Sequence, residues 1–169
     1  KNILSARELQ SVIASNTTLI RYYFTYDKLV ALVMDSAETH LIELDSSNLA
    51  TTIKKLMQPT TNERDMGVPL NELYKKLWAP LENHIHTQKV IVIPDGILYN
   101  LSFDLLTPNT IRQYRDLVTQ SLLNKHQISY HYSLSVLNQQ KISQKIKDNY
   151  VAFAPGFSDE LKSTYLANV

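Results

Sequence analysis

One segment, Lys89 to Leu106 (KVIVIPDGILYNLSFDLL), constrains the fold of this chain more than any other. Its first part, Val90 to Ile93, is a β-branched run without polar alternation, which is typical of a central strand covered on both faces. Pro94 should end this strand, because proline has no N–H to donate to the next position of the ladder. Asp95 and Gly96 then predict a tight turn, since aspartate bonds nearby backbone and glycine accepts a positive φ.

Asp95 admits two interpretations. Ligands usually bind at the strand ends of α/β sheets, which would make the Asp95 carboxylate a catalytic group. An Asp-Gly pair more often forms the turn itself, and this is the interpretation that the local sequence favours.

The residues before this segment predict an antiparallel meander. A short helix over Ala6 to Ile13 comes first. Three strands follow it, at Leu19 to Tyr26, Leu29 to Met34 and Thr39 to Leu44. Polar turns at Asp27-Lys28 and Asp35-Ser36 join them, so consecutive strands should lie side by side.

Two amphipathic helices should connect the meander to the Val90 strand. The apolar stripe of the first comprises Leu49, Ile53, Leu56 and Met57. Asp45 and the serines after it offer N-caps, and a polar loop runs from Pro59 to Met66. Pro69 suits the start of the second helix. Its apolar face comprises Leu70, Leu73, Leu77, Leu81 and Ile85. Pro80 should kink or break this helix, because an interior proline costs roughly 3 kcal/mol.

Further elements are predicted after Leu106. A surface helix is indicated by the spacing of Ile111, Tyr114, Val118 and Leu122. Gln127 to Tyr132 is strand-like, Ser133 can cap a short helix that runs to Leu137, and a second buried strand is predicted at Val151 to Ala154. Helical crossovers between strands imply parallel pairing, so the predicted fold is mixed α/β. Its parts are a meander with a capping helix at 1–58, a loop at 59–66, and helices with further strands at 67–169.

Composition excludes several classes of function. The 169 residues include 17 Lys plus Arg and 16 Asp plus Glu, and this balance of +1 gives no basic surface for nucleic acid. There is no cysteine, which excludes a disulfide scaffold, a thiolate zinc site and a cysteine nucleophile among these residues. No apolar stretch reaches the roughly 20 residues of a membrane span, and no signal peptide is evident, so a cytoplasmic protein is expected.

The histidines and glycines predict no metal site and no cofactor. His84 and His86 follow a helical pattern, and a helix-end pair that interacts with terminal carbonyls explains them more simply than metal ligation. His40, His126 and His131 lie near strand ends without an adjacent nucleophile motif. The three glycines are scattered, so no phosphate-binding loop is present. Strand packing accounts for Tyr22, Tyr23, Tyr26, Tyr130 and Tyr132.

The strand, the Pro94-Asp95-Gly96 turn and the apolar residues after it resemble the CHAT domain, a bacterial relative of separases and caspases that often follows tetratricopeptide repeats. Other segments match in the same order. They are Leu9 to Leu44, Leu73 to His84, Gln127 to Leu137 and Tyr150 to Phe157. Ser102 stands where the family usually has a proline. The resemblance implies that the chain is the N-terminal portion of such a domain and leads into the first part of a caspase-like sheet.

The family resemblance also implies where catalysis would occur. The catalytic pair of the family is a histidine, which is followed by glycine, and a cysteine at a strand end. Both lie downstream of the segment that matches Tyr150 to Phe157. The chain is therefore expected to be inactive alone, and its parent is expected to be a cysteine endopeptidase. The loop Gly156 to Glu160 would line the substrate pocket. There Asp159 would select a basic side chain of the substrate. The alternative is that Asp159 merely caps a helix that begins near Leu161.

Two other interpretations of the chain remain open. One is a non-catalytic scaffold for protein–protein interaction, and the other is an unrelated small α/β enzyme. The expected partners are a protein or peptide substrate of the parent and an upstream repeat region, without nucleic acid or membrane. An incomplete sheet should leave an apolar edge, which also predicts a homodimer.

Overall fold

The computed structural model describes residues 8, 10–11, 13–58 and 63–133. Several predicted elements lie wholly or partly outside these residues. They are the lead-in helix at Ala6 to Ile13, the helix after Ser133, the strand at Val151 to Ala154 and the loop that contains Asp159.

The described residues form a five-stranded mixed sheet with the strand order β3-β2-β1-β4-β5. Its strands are β1 (Thr17–Phe24), β2 (Leu29–Met34), β3 (Thr39–Leu44), β4 (Lys89–Ile93) and β5 (Gln127–Tyr130). The first three form the predicted antiparallel meander. β4 then pairs parallel to β1, and β5 parallel to β4. The mixed α/β fold is therefore confirmed.

Within the described residues, α-helices and 3-10 helices connect and cover these strands. The α-helices are α1 (Leu49–Met57), α2 (Glu63–Leu77) and α3 (Arg115–Gln120). The 3-10 helices are Ala79–His84, Gly96–Asn100, Phe103–Leu105 and Leu122–Asn124. The predicted break at Pro80 is confirmed, because α2 ends at Leu77 and the chain continues as a 3-10 helix that contains Pro80.

The predicted start of α2 was wrong. The helix begins at Glu63, within the predicted loop from Pro59 to Met66, and Pro69 lies in its interior rather than at its first turn. An interior proline forfeits one backbone hydrogen bond. Burial of an apolar face offsets that loss here, since Leu70, Leu73 and Leu77 are all buried.

The predicted surface helix at Ile111 to Leu122 was also wrong in extent. Within this span only Arg115–Gln120 is α-helical, and the two ends of the predicted helix, Ile111 and Leu122, are buried in the core. Asp116 accepts hydrogen bonds from the backbone N–H groups of Arg112 and Gln113, at 3.1 and 3.2 Å, which holds the preceding residues in a turn. Of the four residues that suggested the helix, only the exposed Val118 lies within α3, whereas the buried Ile111 and Leu122 lie outside it.

The sheet buries both faces, as expected for a central β4. One face carries a large core in which the biggest buried side chains are Tyr22, Trp78 and Phe103. The Tyr22 hydroxyl donates to the Leu77 carbonyl at 3.0 Å, so this fully buried tyrosine joins β1 to the end of α2. The opposite face carries a smaller cluster that includes Ile93 of β4.

Gly67 allows α2 to approach the segment before α3. A Cβ atom at this position would lie 2.2 Å from the carbonyl oxygen of Ile111, which is backbone and cannot rotate away. We expect Gly67→Ala to lower the free energy of unfolding by about 1–3 kcal/mol through overpacking, although Ala is normally the better helix residue.

Denaturant unfolding followed by circular dichroism measures this change. The matched control is Val68→Ala at the next position of the same helix, where the native side chain is exposed. It should change stability by less than about 0.5 kcal/mol. An unchanged or raised stability of Gly67→Ala would show that the close approach to Ile111 is not required.

Candidate functional site

The carboxyl ends of the three mutually parallel strands β1, β4 and β5 lie at one edge of the sheet. Ligands of open α/β sheets bind at this type of edge. Phe24 ends β1, Pro94 follows β4, and His131 follows β5, where its backbone N–H donates to Val92 at 3.0 Å. This edge is therefore the first place to look for a functional site.

Asp95 joins the ends of β1 and β4 at this edge. One carboxylate oxygen accepts the backbone N–H of Phe24 at 2.8 Å, and the other accepts the N–H of Gly96 at 3.0 Å. Gly96 has a positive φ of 52°, which lets the chain turn into the 3-10 helix that Asp95 caps. The turn interpretation of Asp95 is confirmed, and each of its carboxylate oxygens is engaged with backbone.

Tyr130, the last residue of β5, makes a second polar link. Its hydroxyl accepts the backbone N–H of Phe103 at 2.8 Å and donates to the carboxylate of Asp104. Burial, followed by the hydrogen bond to Asp104, raises the pKa of the Tyr130 hydroxyl well above its usual value. The neutral hydroxyl therefore fixes β5 to the Phe103–Leu105 helix.

An open groove of about 500 Å³ lies beside these links. Its described lining residues, which we call the tyrosine groove, are Pro94, Tyr99, Tyr130, His131 and Tyr132. The rings of Tyr99 and Tyr132 lie nearly parallel with centroids 6.3 Å apart, and the Tyr99 hydroxyl donates to the Tyr132 carbonyl at 3.3 Å. The three tyrosine side chains are 43–83% exposed, so a ligand can reach their rings.

Sequence reasoning did not find the tyrosine groove. It assigned Tyr130 and Tyr132 to strand packing and did not connect them with Tyr99. A signal was available in the positions of these residues along the chain. Tyr99 follows the turn after β4, Tyr130 ends β5, and Tyr132 lies two residues after that strand. Parallel pairing of these strands brings the two segments together.

The histidines form no catalytic pair in the described part of the chain. His84 ends a 3-10 helix, but its ring packs against His40 of β3, with centroids 4.0 Å apart. His40 contacts Glu38 at 2.9 Å, and His126 contacts the Thr87 carbonyl at 3.2 Å. Within residues 8–133 as described, no imidazole bonds a hydroxyl, and no group of three His, Cys, Asp or Glu could hold a metal ion.

The described residues do not include Asp159, so its predicted role in selecting a basic side chain stays a prediction. Among the helices of the described residues, none is long and apolar enough to cross a membrane.

A family model for the CHAT domain matches residues 67–166, which is more than half of the chain. The match covers α2 from Gly67 onward, β4, β5 and the described lining residues of the tyrosine groove, whereas the β1–β3 meander precedes it. No curated protein matches the chain.

Asp95→Ala should weaken the joint between β1 and β4. It leaves two backbone N–H groups without their carboxylate acceptor, and we expect the free energy of unfolding to fall by about 1–2 kcal/mol. Thermal or denaturant unfolding measures the loss. Asp27→Ala is the matched control, because the described residues provide no hydrogen-bond partner for that exposed carboxylate. Equal stabilities of the two variants would contradict the proposed joint.

Tyr130→Phe should destabilise the chain by about 1–2 kcal/mol, since the Phe103 N–H loses its partner while the ring is retained. The raised pKa sets the pH dependence. The Tyr130 hydroxyl stabilises the folded chain fully below the ordinary tyrosine pKa of 10.0. This stabilisation is lost as the pH rises further, because the tyrosine ionises in the unfolded state before it does in the folded state. The difference in free energy of unfolding between this variant and the unchanged chain should therefore be smaller at about pH 10.5 than at pH 7. Tyr132→Phe, whose ring is 83% exposed, is the control and should show no gap at either pH.

Proposed function

The chain belongs to the CHAT domain family, a caspase-like family, and on that premise we propose that it is the non-catalytic, N-terminal portion of a cysteine endopeptidase. One observation carries this proposal: the 169 residues contain no cysteine. A cysteine peptidase needs a thiolate nucleophile with a base within hydrogen-bond reach. In the proposed parent, this pair is supplied by residues other than these.

The geometry at the sheet edge supports a structural role. The position of Asp95 at a strand end suggested a catalytic role as one of two interpretations, but backbone N–H groups occupy both of its carboxylate oxygens. Tyr130 and Asp104 are likewise bonded to each other and to the Phe103 backbone. In the proposed function, these links brace the strand ends so that the catalytic part of the parent packs against a fixed edge.

The proposal extends to the partners of the parent. Its substrate is a protein or peptide, with Asp159 selecting a basic side chain by charge pairing. A tetratricopeptide repeat region upstream regulates it, and the protein works in the cytoplasm of a bacterium. What supports these statements is the association of CHAT domains with such repeats, substrates and bacterial proteins.

A second candidate function is a non-catalytic interaction scaffold, which the exposed rings of the tyrosine groove favour. The two candidates differ in the parent sequence. A His-Gly pair and a strand-end cysteine in the parent favour the peptidase, and their absence favours the scaffold.

We expect the purified 169-residue chain to cleave no peptide bond above the uncatalysed background. A fluorogenic peptide library that includes Arg, Lys and Asp before the scissile bond measures this, with folding checked by circular dichroism. Turnover that a point change within these residues abolishes, such as Asp95→Ala or His131→Ala, would overturn the proposal. If the unchanged chain and these variants all show no turnover, the result agrees with the proposal.

A further inference from the structure

An arginine lies within the face of the sheet that carries the smaller apolar cluster. Arg21 of β1 is in register with Leu32 of β2 and with Ile93 of β4, and Leu32 is in register with Leu41 of β3. Because residues in register share a face of the sheet, these four side chains form one row across the strands, which we call the Arg21 row. The exposed fraction rises from 1% at Ile93, through the half-buried Arg21 and Leu32, to 71% at Leu41. The row is therefore closed at β4 and open at the β3 edge.

The guanidinium of Arg21 has no acceptor among the described residues. Its central carbon lies 4.4 Å from the centroid of the Tyr23 ring, which is a cation–π contact. Its Nε is buried without a hydrogen-bond partner, and the ion pairs of the described residues use Lys28, His40 and Lys76 instead. A half-buried charge without a counterion is costly, so this guanidinium gains from any anion that reaches it.

The carboxylates that flank the row along the strands are engaged elsewhere. Glu43, which lies on the same face of β3 as the row, pairs with Lys28 at 2.8 Å. Asp95 follows β4, and both of its oxygens accept backbone N–H groups. The described residues therefore leave the charge of Arg21 uncompensated, and a ligand can supply the missing carboxylate.

We propose that the Arg21 row binds a glutamate or aspartate side chain that an apolar segment of a partner protein presents. The two terminal Nη groups of a planar guanidinium can donate parallel hydrogen bonds to one carboxylate. Leu32 and Leu41 provide the apolar contact, because they lie on the open side of Arg21. The segment enters from the β3 edge, with its acidic residue above β1 and its apolar residues above β2 and β3.

A carboxylate fits this row better than a phosphate. A phosphorylated side chain carries a charge of about −1.5 to −2 at pH 7, whereas Arg21 is the one cation of the row. Apolar side chains flank the guanidinium, so the excess negative charge of a phosphate would lose water without gaining a partner. A single carboxylate matches the single guanidinium.

The test titrates the isotope-labelled chain with a blocked Leu-Gly-Glu-Gly-Leu peptide and follows chemical shifts by NMR. Alternate residues of an extended peptide share one side, so the glutamate and the leucines can reach the row together. We expect a dissociation constant of about 1 mM, with shifts that cluster on β1, β2 and β3. The glutamine peptide has the same shape without the charge and should bind about fivefold more weakly.

Variants of the row test which side chains bind. Arg21→Met keeps an unbranched apolar stem and removes the charge. It should weaken the glutamate peptide by about fivefold and leave the glutamine peptide unchanged, so that the two peptides bind alike. Leu41→Ser should weaken both peptides equally. Arg115→Met is the matched control, because this exposed arginine belongs to α3 rather than to the sheet and its loss should change neither affinity.

A stability measurement separates binding from a structural role of Arg21. The described residues give its guanidinium a cation–π contact but no hydrogen-bond acceptor. We therefore expect Arg21→Met to leave the urea midpoint of unfolding unchanged or to raise it. A clearly lower midpoint would show that the fold itself uses this charge, and it would overturn the proposal.

Three binding results would also overturn the proposal. They are no shift at peptide concentrations of about 10 mM, equal affinity of the unchanged chain for the glutamate and glutamine peptides, and a phosphoserine peptide that binds more than about tenfold tighter, which would identify a phosphate site. The peptide comparison uses the unchanged chain, so it remains decisive if a variant fails to fold. Peptide-bond cleavage is not measured in any of these experiments, so the peptidase proposal fails or survives separately.

Discussion

The parallel pairing of β1 with β4 is the interaction on which the described structure depends. β1 also pairs with β2, so it is the one strand that connects the antiparallel meander with the parallel half of the sheet. Asp95 closes this pairing at the strand ends by accepting the Phe24 N–H. β5 pairs with β4, so its position depends on the pairing of β1 with β4. The tyrosine groove depends on it as well, because residues that follow β4 and β5 line it.

The sequence was most informative where local chemistry decides the structure. The sequence correctly predicted the buried strand at Val90 to Ile93, its end at Pro94 and the turn at Asp95-Gly96. Each of these features depends on only a few neighbouring residues. Pro69 and the segment from Ile111 to Leu122 were misjudged for the opposite reason. Their conformations depend on packing between segments distant in sequence, including the contact of Gly67 with Ile111.

At this edge of the sheet, the polar groups are used in hydrogen bonds within the fold, whereas the aromatic rings are exposed. Asp95, and Asp104 with the Tyr130 hydroxyl, direct their hydrogen bonds toward backbone N–H groups or toward each other, which fixes the strand ends. The aromatic rings beside them remain accessible. Sequence reasoning identified Asp95 but not the groove, since the groove exists only once parallel pairing has brought Tyr99 beside Tyr132.

The distance in sequence between β1 and β4 also bears on how the chain folds during synthesis. Phe24 and Asp95, which close the pairing, lie 71 positions apart. At roughly 5–20 residues per second, β1 leaves the ribosome about 4–14 s before its parallel partner. The meander can form from local contacts in that interval, but one edge of β1 stays unpaired and open to other strands. Nascent chains of this protein therefore pass through a period in which the unpaired edge of β1 is exposed to pairing with other chains.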